Sequence, residues 1–185
     1  MAMNPRIRRL MADYQKIQEE FTGSPVVKVE PIGTSNPPDL YKVTYKVPGI
    51  ALNHATKGIE IINEHVAEIH LTASYPRIKP KCVLKTPIWH PNFGNYICIG
   101  DHWAAGETLV DVIVQIGDMI QYKSYNPKSP LNAKAAVWSN RNGNLFPIGN
   151  INLLSPEPEL EIEIELEEAV PTATQNNDDF EITFN

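Results

Sequence analysis

The sequence predicts a mixed α+β fold in which one N-terminal helix leads into an antiparallel meander of four strands, with further helices towards the C-terminus. Three observations predict it. Apolar residues recur at three- and four-residue steps up to residue 21, strand-like runs continue to residue 84, and helical spacing returns after residue 107. A length of 185 residues suits one domain of about 150 residues with a short appendage. We therefore expect a domain at 1–150 and an acidic tail at 151–185.

The first helix is predicted over residues 6–21. Asn4 supplies a capping side chain and Pro5 suits the first helical turn, whereas the Gly-Ser-Pro run at 23–25 ends the helix. The apolar face of this helix consists of Ile7, Leu10, Tyr14, Ile17 and Phe21.

Four strand-like runs follow. They lie at residues 26–32, 40–47, 58–74 and 82–84. Turn residues separate them, including a Pro-Gly pair at 48–49 that predicts a turn after the second run. Short consecutive runs of this kind favour an antiparallel meander.

Residues 75–95 are predicted to be irregular. Four prolines in this passage remove backbone donors that a helix or a central strand needs. Long irregular passages are uncommon in compact domains unless they are functional. Helical spacing then predicts a second helix over 107–121, with Thr108 in its capping region, and a short third helix over 131–139.

Charge is distributed unevenly along the chain. Ten of the 22 acidic residues lie at 155–185, which contains no Lys or Arg, so residues 1–154 hold 12 acidic residues against all 16 basic ones. Leu and Ile alternate with Glu at 160–167, which is a strand pattern, but mutual repulsion of the glutamates favours disorder in the free protein. The basic density of the body is below that of a nucleic-acid-binding domain, so we expect no nucleic-acid partner.

Several protein classes are excluded or disfavoured. No stretch approaches the roughly 20 apolar residues of a membrane span, so we expect no membrane partner. The N-terminal residues carry charge and no apolar region follows them, which predicts a cytoplasmic protein without a secretory signal. The two cysteines, Cys82 and Cys98, are too few for the disulfide framework of a small secreted domain.

The chemistry-bearing residues cluster around Cys98. On the residues alone, Cys98 is compatible with a structural thiol, with a Cys-His peptidase that uses His90 or His102 as base, and with a zinc site. The zinc site would need Cys82 and both histidines, whose spacing lacks the tight pairs of structural zinc sites.

The same region resembles the ubiquitin-conjugating enzyme family. The resemblance rests on an ordered series of motifs: Tyr75-Pro76 with Pro80, His90-Pro91-Asn92, Ile97-Cys98-Ile99, Trp103, and Asn126-Pro127-Lys128-Ser129-Pro130-Leu131-Asn132. It extends over roughly residues 6–147, and the 97–107 and 125–133 stretches look most like bacterial members found in gene clusters linked to phage defence. The resemblance implies that residues 1–150 have the ubiquitin-conjugating fold.

The family's activity implies roles for individual residues. Cys98 would carry a ubiquitin-like modifier as a thioester, received from an activating enzyme and transferred to a target protein. Asn92 would stabilise the oxyanion of that transfer or hold the active-site loop, and Asp101 would replace the acidic residue that the loop Lys128-Ser129 lacks. The residues implied to brace the site are His90, Pro91, Tyr75, Trp103 and Ser129.

The resemblance also implies how partners are engaged. The first helix docks the activating enzyme in this family, and here it carries Arg6, Arg8 and Arg9, which suit an acidic surface. No metal and no cofactor are expected on this chain, because the activating enzyme spends the ATP. The alternative function is a non-catalytic scaffold of the same fold that binds a ubiquitin-like protein.

Overall fold

The computed structural model describes residues 4–53, 55–56, 58–100 and 103–154. Its helices and strands follow the predicted order. They are α1 (Pro5–Phe21), β1 (Val27–Pro31), β2 (Leu40–Tyr45), β3 (Gly49–Leu52), β4 (Ile59–Ile62), β5 (His65–His70), β6 (Lys81–Leu84), α2 (Leu109–Ile120), α3 (Ala133–Arg141) and a 3-10 turn (Gly143–Leu145). The predicted α+β class is confirmed.

The main sheet has four antiparallel strands in the order β1-β2-β5-β6. The predicted four-stranded meander is confirmed, but a second antiparallel hairpin, β3-β4, is inserted between its middle strands. The prediction of one strand over 58–74 was wrong, because the chain turns at 63–64 and divides the run into β4 and β5. Strand β3 was missed because it has only four residues and begins at Gly49, where the sequence indicates a turn.

The core lies between the main sheet and the two longer helices. Helix α2 begins at a capping box in which Thr108 and Asp111 bond each other's backbone, as its sequence position predicted. Helix α3 begins later than predicted because Asn132 caps it, accepting a hydrogen bond from Ala135 N at 3.1 Å. None of the helices in the described ranges is long and apolar enough to cross a membrane.

A buried carboxylate joins α1 to the segment that precedes α2. Asp13 is 2% exposed, and its oxygens accept from Arg9 Nε at 2.8 Å, from the Tyr75 hydroxyl at 2.6 Å and from Leu109 N at 3.2 Å. Arg9 also donates to the carbonyl oxygens of Ala105 and Glu107. Because a buried carboxylate is costly unless it is paired and hydrogen-bonded, these contacts fix the approach of the chain to α2.

Residues 151–154 pack onto the domain, so the described packing extends beyond the predicted boundary at residue 150. Leu153 is 1% exposed and belongs to the core, and it packs so closely on Gly117 that a Cβ at that position would clash with its Cδ1. The Ile151 carbonyl accepts from Gln121 Nε2 at 3.1 Å and from Lys123 Nζ at 2.8 Å. The rest of the predicted tail, 155–185, lies outside the described residues.

Two truncated chains test this packing. A chain that ends at residue 150 loses Leu153 from the core, and we expect its free energy of unfolding to fall by about 2–5 kcal/mol, as for other large core deletions. A chain that ends at residue 154 keeps these contacts and should unfold at the wild-type urea concentration. Equal loss in both chains would show that residues beyond 154 stabilise the domain.

Candidate active site

His90 is held at two ring atoms by the backbone. Asn92 N donates to Nδ1 at 3.1 Å, so the proton of the neutral ring lies on Nε2, which donates to the Ser124 carbonyl at 3.3 Å. The side chain is fully buried, and burial lowers the pKa of His90 to about 3. His90 is therefore a neutral brace at physiological pH, with both ring nitrogens engaged by the backbone.

The next two residues tie this segment to the loop at 124–132. The Pro91 carbonyl accepts from Leu131 N at 2.8 Å and from Asn132 N at 2.9 Å. Ser129 contributes its backbone, since its carbonyl accepts from Asn92 Nδ2 at 3.4 Å. Three of the positions that the sequence marks for bracing, His90, Pro91 and Ser129, thus meet at this loop, Pro91 and Ser129 through their carbonyl groups.

Asn92 is 4% exposed, and its side chain engages the backbone of Asn126 on both sides. Its Oδ1 accepts from Asn126 N at 2.6 Å, and its Nδ2 donates to the Asn126 carbonyl at 2.9 Å. With the Ser129 contact, both donors of the side-chain amide are directed at carbonyl oxygens. This geometry is that of a loop clamp.

Cys98 lies directly against this clamp. Its backbone N–H donates to the Asn92 carbonyl at 2.9 Å, and its side chain is partly exposed. The two following carbonyls are also held, that of Ile99 by Gln115 Nε2 at 2.9 Å and that of Gly100 by Lys79 Nζ. Gly100 has a φ of +99°, a left-handed conformation that glycine adopts without a side-chain clash.

A pocket of about 390 Å³ opens beside the Cys98 thiol. Its walls come from the Cys98 segment, from α2 and from the 124–132 loop. The lining residues are Asn92, Cys98, Gly100, Gln115, Met119, Ser124, Tyr125, Asn126 and Ser129. None of the lining residues is charged, and all except Gly100 and Met119 carry an amide, hydroxyl or thiol side chain.

Cys82 has a different environment. It lies in β6, is 2% exposed, and its carbonyl accepts from Ile97 N at 2.8 Å. Burial raises the pKa of the Cys82 thiol to about 12. Because the thiolate is the nucleophile, burial disfavours the reactive form of Cys82 at neutral pH, whereas Cys98 is the partly exposed thiol of the two.

Tyr75 and Trp103 pack near the start of the irregular passage at residues 75–95. Trp103 Nε1 donates to the Pro76 carbonyl at 2.6 Å, and its ring lies 6.0 Å from that of Tyr75. The Tyr75 hydroxyl is the group that Asp13 holds. These two aromatic residues therefore connect the site to the α1 network.

The three arginines of α1 have unlike surroundings. Arg9 is engaged by Asp13 and by the segment before α2, and Arg6 donates to the Leu71 carbonyl at 2.9 Å and lies 3.5 Å from Asp39. Arg8 is exposed. Because Arg8 is the exposed one of the three, the prediction that α1 docks an activating enzyme now relies mainly on Arg8.

The geometry of the site also bears on the peptidase and zinc-site interpretations of Cys98. His90 contacts Ser124 and Asn92, which leaves the peptidase interpretation without His90 as a base. Among the described residues, no three His, Cys, Asp or Glu side chains are grouped so as to hold a metal ion. Asp101 and His102 lie outside the described residues.

Sequence reasoning missed several pocket residues. Gln115 lies among apolar residues of α2, and nothing in the helical spacing distinguishes it from a solvated position. Ser124 and Tyr125 precede the Asn-Pro motif and show no pattern of their own. Asn126 belongs to that motif, but only the structure shows that its backbone is what Asn92 holds.

Comparison with known proteins agrees with this architecture. Residues 63–147 match the family model for the ubiquitin-conjugating enzyme. Among solved structures, the E2 domain of a Toxoplasma gondii ubiquitin-conjugating enzyme matches with 23% identity and a TM-score of 0.53, over 76% of this chain and 91% of that chain. No curated protein matches the chain. The chain therefore has the ubiquitin-conjugating fold, and residues 63–147 carry the sequence pattern of that family.

The low pKa of His90 predicts a loss of stability in acid. His90 has a pKa of about 6.5 in the unfolded chain and about 3 in the folded chain, so between these pH values only the unfolded chain binds the proton. The free energy of unfolding therefore falls as the pH decreases through this interval. At pH 5 the loss from His90 should be about 2 kcal/mol relative to pH 7. Burial also lowers the pKa of His65, which adds in the same direction.

Urea unfolding at pH 7 and pH 5 measures this effect. We expect His90→Gln to lose about 2 kcal/mol less than the wild type between the two pH values. His70→Gln, which alters an exposed histidine, is the control. A wild-type pH dependence in His90→Gln would mean that folded His90 accepts a proton as readily as the unfolded chain.

Proposed function

We propose that this chain is a conjugating enzyme that accepts a ubiquitin-like modifier from an activating enzyme as a Cys98 thioester and transfers it to an amine or hydroxyl on a target protein. The carrying observation is the partly exposed Cys98 at a preformed pocket, held by the Asn92 clamp. The family pattern over residues 63–147 supports thioester transfer as the reaction of this thiol.

The only reacting group that this chain must supply is the Cys98 thiolate. In loading, the Cys98 thiolate attacks the thioester carbonyl carbon of the loaded activating enzyme, and the activating enzyme's thiolate leaves. In transfer, the acceptor nitrogen or oxygen bonds to the thioester carbonyl carbon and gives up its proton to water, while the C–S bond breaks and the Cys98 thiolate is released. A thiolate serves because it is both a good nucleophile and a good leaving group. ATP is spent earlier, by the activating enzyme, so no nucleotide or metal site is required here.

The surrounding residues enter the proposal with distinct roles. The occupied donors of Asn92 support the loop-holding role over direct contact with the reacting atoms. Asp101, three residues beyond the nucleophile, remains our proposal for the acid that orients an incoming lysine, which must lose a proton to attack. Exposed Arg8 is proposed to meet an acidic surface of the activating enzyme.

The biological setting is also proposed. Resemblance of the 97–107 and 125–133 stretches to bacterial members supports a cytoplasmic role in phage defence. Genes for an activating enzyme, a ubiquitin-like protein and an isopeptidase next to the gene for this chain would support that setting. A gene neighbourhood that contains none of the three would contradict it.

Single-cysteine variants test the proposed function. The protein is incubated with ATP and a panel of ubiquitin-like proteins, including ubiquitin, each with its own activating enzyme. The wild type and Cys82→Ser should form an adduct that dithiothreitol removes, because a thioester exchanges with thiols. Cys98→Ser should lose that adduct, or form an oxyester that survives dithiothreitol and is cleaved by base.

Gel mobility with and without dithiothreitol, followed by peptide mass mapping, identifies the linkage. A thiol-sensitive adduct that survives Cys98→Ser and disappears with Cys82→Ser would overturn the assignment. Binding without any adduct across the whole panel would favour the scaffold function instead.

A further inference from the structure

Strand β4 presents an open edge on which two apolar residues are exposed. Asn53 N donates to the Gly58 carbonyl at 2.9 Å, and bonded pairs alternate with unbonded pairs along an antiparallel hairpin. The backbone N–H and carbonyl groups of Ile59 and Ile61 therefore point away from β3. The side chains of these two residues are 41% and 50% exposed. On this side, neither residue has a backbone partner within the described part of the chain.

The other sheet edges formed by the described strands are protected. β3 is covered on its outer side by Trp89, whose N–H donates to the Ile50 carbonyl at 2.6 Å. β6 is covered by Ile97, whose N–H donates to the Cys82 carbonyl at 2.8 Å. β1 carries a Lys–Glu ion pair and ends in Pro31, which lacks a donor. Because an uncovered apolar edge invites pairing with another chain, β4 is the edge suited to receive one.

An open groove of about 660 Å³ lies at the C-terminal end of this edge. Ile62 contributes to its wall together with the turn after β2 and the segment that follows α3. The apolar residues of the wall are Val47, Pro48, Ile62 and Ile151. Side chains of a strand alternate between two faces, so a chain laid along β4 meets Ile59 and Ile61 on one face. On the other face it meets Glu60 and the groove.

The charges on the edge itself are balanced. Glu60 and Glu64 are exposed, and neither forms an ion pair with a described residue. Lys46 lines the groove, and Lys57, in the loop between β3 and β4, lies outside the described residues. A basic side chain placed opposite Glu60 would pair with its carboxylate on the face away from the two exposed isoleucines.

The excess of charge near the edge comes from the acidic tail. Seven glutamates lie between residues 157 and 168, and residues 155–185 contain no Lys or Arg. Ile151 forms part of the groove wall, and the few residues between it and Glu157 span at most about 20 Å. Negative charge is thus tethered beside β4, where it attracts basic chains.

We propose that β4 is a docking edge for an extended segment of a partner protein in which apolar residues alternate with lysine or arginine, and that the acidic tail steers this segment to the edge. The segment adds antiparallel to β4 and exchanges backbone hydrogen bonds with Ile59 and Ile61. It places apolar side chains on their face, a basic side chain opposite Glu60 and a bulky apolar side chain in the groove at Ile62. No residue lines both this groove and the Cys98 pocket, so the proposal goes beyond the thioester chemistry and is tested without it.

A synthetic peptide measures this docking directly. In an antiparallel pairing, the sequence acetyl-KKFIKIK-amide sets its phenylalanine opposite Ile62, its isoleucines opposite Ile61 and Ile59, and its central lysine opposite Glu60. Binding to the full chain is followed by the fluorescence anisotropy of the labelled peptide. At saturation, amide hydrogen exchange at Ile59 and Ile61 should slow by about tenfold or more, while exchange between β1 and β2 stays unchanged. No measurable binding would overturn the proposal.

Two N-methylated peptides separate strand addition from attraction between opposite charges. Methylation of the isoleucine nitrogen opposite Ile61 removes an N–H that faces β4, and we expect the affinity to fall by about tenfold. Methylation of the central lysine nitrogen, whose N–H points away from β4, should leave the affinity near that of the parent peptide. Equal affinities of the two methylated peptides would overturn the proposal, because charge alone would then hold the peptide.

A matched pair of protein variants locates the peptide. Ile61→Lys should weaken binding by about tenfold, because its ammonium group repels the lysines of the peptide. Val137→Lys adds the same charge at an apolar residue of α3 that is 52% exposed, and it should bind as the wild type does. Both substitutions are at exposed positions and should leave folding intact. Equal weakening in the two variants would place the peptide elsewhere and contradict the proposal.

Truncation tests the steering by the tail and the other possible occupants of the edge. A chain that ends at residue 154 should bind the parent peptide about tenfold more weakly at low salt, and the difference should shrink in about 0.5 M salt. Tighter binding after truncation would show that the tail itself occupies the edge, and unchanged binding would remove its steering role. Self-association of the full chain that Ile61→Lys abolishes would assign the edge to a second copy. Each of these three results would contradict the proposal.

Discussion

Hydrogen bonds from three successive residues, His90, Pro91 and Asn92, hold the loop at 124–132 against the segment that carries Cys98. Each residue uses a different group: a ring nitrogen, a backbone carbonyl and a side-chain amide. Since both segments are irregular, neither has a regular hydrogen-bond ladder to hold its shape. These hydrogen bonds take the place of a regular ladder and hold the two segments in the positions that form the pocket beside Cys98.

The hydrogen bonds from His90, Pro91 and Asn92 to the 124–132 loop form a hub, which the rest of the fold supports from two sides. The sheet places β6 under the Cys98 segment, where the Cys82 carbonyl accepts from Ile97 N. On the other side, the Asp13 network joins α1 to Tyr75 and to the start of α2, the helix that supplies Gln115 to the pocket. The partly exposed Cys98 thiol is thus supported both by the sheet and by the contacts that join α1 to α2, which suits the carrier role proposed for it.

The sequence predicted the features that depend on local periodicity or on ordered motifs. Helices α1 and α2, the four-stranded sheet and the irregular passage follow from spacing and proline content, and the motif context of Cys98 is what makes it the candidate nucleophile. Features that depend on long-range contacts were missed. Neither the burial of Asp13 nor the meeting of Asn92 with Asn126 has a local signal, because the partners lie more than 30 residues apart. Strand β3 was lost to its short length.

Amide hydrogen exchange in Asn92→Ala tests the central claim most directly. If the hub holds the loop, exchange at Asn126 N and Leu131 N should accelerate by about tenfold or more, equivalent to about 1.4 kcal/mol of lost protection, while the amides that pair β2 with β5 keep wild-type rates. Wild-type exchange at both loop amides would contradict the account, because the loop would then be held without Asn92.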